Sequence, residues 1–331
     1  MKLVRSFRAV ASLSSLLPLH PLSPPSPPSS LRSLRPPSSL RPLRSLSTTM
    51  YHSARRPFKE TEAERPPFDH ERSFDMMQTP DTQFKVGQGL NKLPNAHKFA
   101  HDNAEWRDII PESLGLGERY KLLVTAITPR PVAFVSSMSK EGHHNLAPFS
   151  YFNMVSHNPP TIMVSIQNNP SGRDGKKDTA FNILQTKEFA VSIISEPFVE
   201  AANYTAIDTP PGTDEWALAG LTKRQSDTIT PPFVAESAFS MECELVHSHE
   251  IVSDDKSIVY TMVLGRVKRI HAKEFIFDPK DKYRVLPEAL MPVARLGGLT
   301  FARVVQGYDL ARPRWEEVKD TDEAKDAMGR L

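Results

Sequence analysis

From about residue 119 to about residue 311, apolar residues come in short runs broken by proline, glycine and charge. Residues 122–127, 132–137, 161–166 and 189–194 are runs of this kind, and each predicts a buried strand. Residues 240–249 alternate instead. Met241, Cys243, Leu245 and His247 fall on one face, and Glu242, Glu244 and Val246 on the other. Residues 257–270 predict a long strand bent at Gly265, where a missing side chain permits a bulge. Residues 299–305 predict the last strand. Helical spacing is confined to three short segments. Residues 178–186 carry Ala180, Phe181 and Leu184 on one side, with Asp178 or Thr179 placed to cap the start. Residues 198–204 and 214–219 are the others. Strands and helices do not alternate regularly, which argues against a doubly wound parallel sheet. The pattern predicts a mainly β fold, a closed or split antiparallel barrel with a few helical excursions.

The flanks differ in pattern. Residues 1–59 are rich in Ser, Pro, Leu and Arg, and the first acidic residue is Glu60. An Arg-rich, acid-free leader with an amphipathic start over residues 1–17 predicts a transit peptide of the mitochondrial kind. A disordered tail, or a cytoplasmic protein begun at Met50, are the alternatives. Residues 60–118 are polar and predict a loosely ordered arm wrapping the domain or a partner subunit, with Trp106 beside Ile109 and Ile110 as a docking point. Residues 312–331 form a charged tail with Trp315 as its only large apolar anchor.

Composition narrows the classes. The chain has 331 residues, net charge +2 and 39% hydrophobic content, enough for one sizeable domain with appendages. The near-neutral charge argues against nucleic-acid binding. One cysteine, Cys243, excludes an intramolecular disulfide. No apolar run approaches the ~20 residues that span a bilayer.

Candidate chemistry lies in three segments. The run from Pro129 to Ser137 is a buried strand ending in two hydroxyls, Ser136 and Ser137. The run from Asn145 to Asn153 offers backbone amides, a proline break at Pro148, and aromatics among polar groups such as Ser150. Lys176-Lys177-Asp178-Thr179 opens a helix, whose free N–H groups favour an anion. Hydroxyls, an interrupted strand and a cationic helix start suit a planar ring with a phosphate tail, so flavin mononucleotide (FMN) is the leading ligand. Taken singly, each segment also reads as ordinary structure: a capped surface helix, or a strand with a proline bulge. His143 and His144 sit in a hairpin turn, and His247 and His249 lack a third ligand, so no metal site is read from either pair. Cys243 reads as a buried, inert thiol. Gly115-Leu116-Gly117 is a turn signal and not a dinucleotide fingerprint.

Taken together, these segments resemble the flavin reductase-like, FMN-binding split-barrel family, in its flavoredoxin-like branch. The resemblance spans roughly Tyr120 to Tyr308. It rests on the 128–137 run, Asn145-Leu146-Ala147-Pro148-Phe149-Ser150-Tyr151-Phe152, Asn158-Pro159-Pro160 and Lys177-Asp178-Thr179. Later matches are Asp214-Glu215-Trp216, Glu242-Cys243-Glu244-Leu245, Leu264-Gly265-Arg266-Val267 and Arg295-Leu296-Gly297-Gly298. The resemblance implies a homodimeric Greek-key split barrel with FMN near the dimer interface. It implies that Ser136 and Ser137 contact the ribityl and phosphate region, and that Asn145, Ala147, Pro148, Ser150 and Tyr151 line the ring, largely through backbone. It also implies that Arg173, Lys177 and Thr179 hold the phosphate with Asp178 nearby, and that Arg295 closes the site. The family often places a tyrosine after the Gly297-Gly298 turn; here Thr300-Phe301 stands there.

Three functions fit this reading. The first is an NAD(P)H-dependent flavin reductase, in which hydride passes from nicotinamide to flavin. The second is an FMN-binding electron-transfer protein serving a protein acceptor, with no nicotinamide site of its own. Related NADH-using reductases often carry a histidine motif near the nicotinamide. His271 is not a clear equivalent and reads as structural. The third is a pyridoxamine-phosphate oxidase-like flavoenzyme.

Overall fold

The computed structural model of the protein describes residues 57–100, 105–210 and 212–329. The predicted leader therefore lies, up to residue 56, outside the described residues. The centre of the fold is a seven-stranded antiparallel sheet. Its strands are β2 (Ala133–Met138), β3 (His144–Phe149), β4 (Phe152–His157), β5 (Pro160–Gln167), β6 (Glu188–Ile193), β7 (Phe239–Val252) and β8 (Val259–Ala272). Their order is β3-β2-β6-β7-β8-β5-β4. Laid flat, strands about 4.8 Å apart would put the two edges roughly 29 Å from one another. Yet β3 ends at Phe149 and β4 starts at Phe152, so only Ser150 and Tyr151 join the edges. Three Cα steps of about 3.8 Å cannot cross that width. The sheet therefore curls into a barrel. It stays split, because β3 and β4 do not pair with each other.

Val135, Ile162, Val164, Ile166, Phe189, Val191 and Val263 fill the inside, and α2 (Asp178–Thr186) adds Ala180 and Ile183. On the outer face, Phe134, Leu146 and Ile194 are covered by Phe198, Trp216 and Val234. Those residues come from the excursion that carries α3 (Val199–Tyr204) and α4 (Glu215–Ala219). A second sheet joins β1 (Arg130–Pro131), β9 (Val293–Gly297) and β10 (Thr300–Arg303) in the order β10-β9-β1.

Several predicted elements differ. Residues 122–127 are not a strand; they end α1 (Leu116–Ala126). A short apolar run cannot distinguish helix from strand, and here both ends of a helix are satisfied. The Glu118 side chain accepts from Gly115 N–H at 3.1 Å. At the other end Arg130 donates from Nη1 to the carbonyls of Val124 (2.5 Å) and Ile127 (2.6 Å). The alternation in β7 holds, with Met241, Cys243 and Leu245 in the interior and Glu242 on the other face, but that other face is not exposed. Ser240, Met241, Glu242 and Cys243 are all buried, because the excursion covers the second face. Gly265 is not itself a bulge. The register shifts lie between Leu245 and His247 and between Glu242 and Cys243. A Cβ on Gly265 would lie 2.3 Å from Cζ of Phe189, so the missing side chain makes room for that buried ring. Gly265→Ala is expected to destabilise the protein by about 1–3 kcal/mol through overpacking. A urea titration showing no loss would remove this account of the glycine.

The arm is tied down at its start. Residues 75–77 pair in parallel with residues 306–308. Arg303 donates from Nη1 to the carbonyl of Asp69 and from Nη2 to that of Arg72, both at 2.7 Å. Trp106 docks on nothing among the described residues and is 87% exposed. Trp315 is exposed too and does not anchor the tail. The small Ala324, in the helix Asp322–Gly329, is the buried residue there.

Candidate functional site

The candidate residues gather where the β2–β3 hairpin meets the start of α2. Asn145 and Ser137 are cross-strand partners, so their side chains share a face. That face meets α2. Asn145 Nδ2 donates to Thr179 Oγ1 at 2.8 Å, and Asn182 Nδ2 donates to Ser137 Oγ at 3.2 Å. All four residues are buried. Ser136 is one position along the strand and therefore points the other way. It lies on the Phe134 side, with its hydroxyl buried and without a hydrogen-bond partner among the described residues. The structure does not bring the Ser136 and Ser137 hydroxyls together.

The start of α2 also differs from expectation. Neither Asp178 nor Thr179 caps the helix. Lys177 occupies the N-cap position and no side chain caps the amides. Thr179 Oγ1 is instead engaged by Asn145, and Asp178 Oδ1 lies 3.4 Å from Arg173 Nε. Arg173 also reaches Glu141 at 4.0 Å and stacks over the Phe181 ring. Lys176 is paired with Glu250 at 2.8 Å. Lys177 is exposed and makes no ion pair among the described residues. An uncapped helix start with an unneutralised lysine is electropositive, and its N–H groups are free for an anion. The loop before it is tightly made. A Cβ on Gly172 would lie 1.9 Å from the Lys176 carbonyl oxygen. Gly172→Ala should force this loop open and weaken flavin binding by at least about tenfold, as a mispositioned binding group does. An unchanged affinity in a flavin titration would show that the loop is not part of the site.

The middle of the site is the 145–151 run. Ala147, Pro148 and Ser150 are half-buried. Leu146 N–H donates to Glu215 Oε2 at 3.3 Å, and Thr209 Oγ1 donates to Glu215 Oε1 at 3.2 Å. Burial raises the Glu215 carboxyl above its usual range. Sequence reading assigned no role to Glu215, because its contact with β3 is made across 69 residues. It also gave none to Asn182. The available signal was its spacing, three residues after Thr179 on one helix face. His144 keeps a buried Nδ1 without a partner among the described residues, and burial lowers its pKa. His143 is exposed in the turn.

At the far end, Tyr151 stacks on Tyr260 with ring centroids 6.1 Å apart. Burial raises the Tyr151 phenol, and the nearby Tyr120 adds to the shift. Arg295 donates from Nη2 to the Gly298 carbonyl at 2.5 Å and lies over the Phe301 ring at 4.4 Å. Phe301 thus meets Arg295 through its ring face, in place of a tyrosine hydroxyl. Burial lowers the Arg295 pKa, and the nearby Arg130 guanidinium adds to the lowering.

Two features lie apart from this cluster. A cavity of about 360 Å³ walled by Pro131, Ile193, Phe239, Leu290, Pro292 and Val293 includes none of the candidate residues. Asp227, Glu242 and His271 bring possible metal ligands within 4.8 Å of one another. Glu242 is already saturated by donors. It accepts from the N–H groups of Asp227 and Thr228, each at 2.7 Å, from the Thr228 hydroxyl, and from His271 Nε2 at 2.5 Å. The cluster therefore reads as a structural knot. Cys243 is wholly buried, and burial pushes its thiol up, as suits an inert side chain.

The geometry suits a flavin. A cationic, uncapped helix start is joined by the Asn145–Thr179 bond to a half-buried run whose backbone is broken by Pro148, with two aromatics and a guanidinium beyond it. Residues 125–286 match the flavin reductase like domain. Nitrilotriacetate monooxygenase component B from Bacillus cereus is 39% identical over 62% of this chain and all of its own, with a TM-score of 0.59. The 2-nitrobenzoate 2-nitroreductase of Pseudomonas fluorescens is 28% identical over 62% of this chain and 96% of its own, with a TM-score of 0.54. A protein with a split barrel domain from Shewanella frigidimarina shares the fold, at 20% identity over 62% and 95% of the two chains, with a TM-score of 0.51.

Proposed function

The chain belongs to the flavin reductase-like, split-barrel family of flavin-dependent oxidoreductases, and on that premise we propose that its flavin is FMN and its reductant NADH or NADPH. The observation that carries the FMN reading is the start of α2. Lys177 and the free amides of residues 178–180 offer a site for a phosphate dianion that a flavin without a phosphate would leave unfilled. Bound flavin would supply the hydride and electron chemistry. The residues of this chain bind and orient it. Lys177, Thr179 and Arg173 hold the phosphate end, and the 145–151 backbone meets the ring. Tyr151 and Arg295 wall the far side and keep water away.

The relative from Bacillus cereus is one component of a monooxygenase. That supports a reading in which this chain hands electrons to a separate acceptor, either a free flavin or a protein. A pyridoxamine-phosphate oxidase-like activity is the remaining alternative. A visible absorption spectrum of the purified full chain, followed by heat release and chromatography of the chromophore, tests the cofactor. Released FMN supports the reading, and a colourless protein that takes up no added FMN ends it. Anaerobic addition of NADH or NADPH then separates the two roles. Bleaching of the bound flavin is expected for a reductase, and no bleaching leaves the electron-transfer role. The Arg-rich leader supports import into mitochondria, which N-terminal determination on protein from its native cell would test.

A further inference from the structure

A second cavity, of about 240 Å³, opens where the end of β8 meets the segment that covers the outer face of the barrel. Its walls include Arg224, Phe233, Ser237, Ile270, His271 and Lys273, none of which belongs to the flavin cluster. Local pairing builds one wall. Residues 223–224 run antiparallel to residues 233–234, with Arg224 directly opposite Phe233. Opposite residues share a face, and the Arg224 guanidinium accordingly lies over the Phe233 ring, 5.7 Å from its centroid. The same ring stacks on His271 at 4.3 Å. His271 is held through Nε2 by Glu242, which ties this wall to the buried knot. Lys273 follows β8 directly, and its backbone N–H donates to the Ala238 carbonyl at 2.9 Å.

Charge at the cavity is unbalanced. The neighbouring cations are paired: Lys223 with Asp214 at 2.8 Å, Lys268 with Glu244 at 3.0 Å and Arg269 with Asp227 at 2.5 Å. Arg224 and Lys273 have no carboxylate partner among the described residues. Lys273 Nζ donates to the Glu236 backbone carbonyl at 3.2 Å. The Glu236 carboxylate is engaged elsewhere, accepting from Thr222 N–H at 3.0 and 3.1 Å. Arg224 and Lys273 are both exposed, so an anion arriving from solvent meets them first.

Two unneutralised cations match a doubly charged ligand, and a carboxylate would leave one of them unmatched. A phosphate ester carries about −1.5 to −2 at neutral pH. Its oxygens suit both the guanidinium fork and the ammonium group. Phe233 and Ile270 give the cavity an apolar wall for the organic part of such an ester. Pockets for drug-sized ligands run to about 300–1,000 Å³, so this one takes a smaller molecule. We propose that the cavity binds a small phosphate monoester, at a site separate from that of the flavin. Arg224 and Lys273 hold the phosphate, and Phe233 and Ile270 pack on the organic group.

Equilibrium dialysis of phenyl phosphate against the full chain tests this site. The wild type should bind it. Arg224→Gln and Lys273→Gln should each weaken binding by at least about tenfold, as losing a hydrogen bond to a charged group does. Lys177→Ala, which alters the start of α2, should bind phenyl phosphate as the wild type does. Benzoate, phenol and inorganic phosphate should each bind at least about tenfold more weakly than phenyl phosphate. No retention of phenyl phosphate at millimolar concentration, or equal retention by the Arg224 and Lys273 variants, would overturn the site. Loss in Lys177→Ala alone would place the anion at α2 and overturn it as well. Benzoate or phenol bound as tightly would refute the match to a dianion, and inorganic phosphate bound as tightly would refute the ester.

Discussion

Glu242→Ala is expected to destabilise the fold by about 3–5 kcal/mol, the usual result of removing one member of a buried charged cluster. The carboxylate is wholly buried and accepts from two backbone amides, a hydroxyl and an imidazole. Its loss leaves the Asp227 and Thr228 amides without acceptors. It also frees the 227–233 segment that covers the outer face of β6 and β7, where Ile229 and Phe233 pack on Ala190. His271, held between Glu242 and the Phe233 ring at 4.3 Å, loses one of its two contacts. Urea denaturation measures the loss, and a change below about 1 kcal/mol would show that the knot is not structural. The same carboxylate sets an acid limit. Hydrogen bonds from Thr228, Asp227 and His271 outweigh the opposing effect of burial and hold its pKa at about 2, against an ordinary 4.5. The stabilisation is therefore complete above about pH 4.5 and fades as pH falls towards 2. Glu242→Gln should flatten that part of the stability–pH curve, and a curve as steep as the wild type's would place the acid sensitivity elsewhere.

Lys177→Ala is expected to weaken FMN binding by about 1.5–3 kcal/mol, the range for a hydrogen bond to a charged group, or roughly 10- to 150-fold in affinity. Lys177 ranks above Arg173 and Lys176 because those two already have carboxylate partners in the chain. Removing Arg173 would also release Asp178 towards the phosphate. Riboflavin provides the internal control, since it has the ring without the phosphate. Fluorescence titration should show the variant impaired for FMN and unchanged for riboflavin. Equal losses for both flavins would mean that Lys177 acts on the ring or the fold, and no loss for either would refute the phosphate site.

The sequence carried much of the barrel because a strand buried on one or both faces has a local signature. Strands β2, β5 and β6, and the nine residues of α2, could be read from apolar runs and spacing alone. The same locality explains the misreading of residues 122–127. Those residues are apolar whether strand or helix, and Arg130 from β1 supplies the donors that end the helix. The burial of Glu242 was not legible for a similar reason. Alternation shows that a residue faces away from the barrel interior, but not that a second layer covers it there.

For the site, sequence alone determined the parts: the Lys177 helix start, the Asn145–Tyr151 run with its proline break, and the order of motifs that marks the family. Their chemistry is local, so spacing reveals it. Only the tertiary structure decided which parts face one another. The opposite facing of Ser136 and Ser137 was already implied by the predicted strand, because strand side chains alternate. The tertiary structure joined Asn145 to Thr179 across 34 residues and Glu215 to Leu146 across 69. Such contacts depend on how the sheet curls, and no spacing along the sequence encodes that curvature.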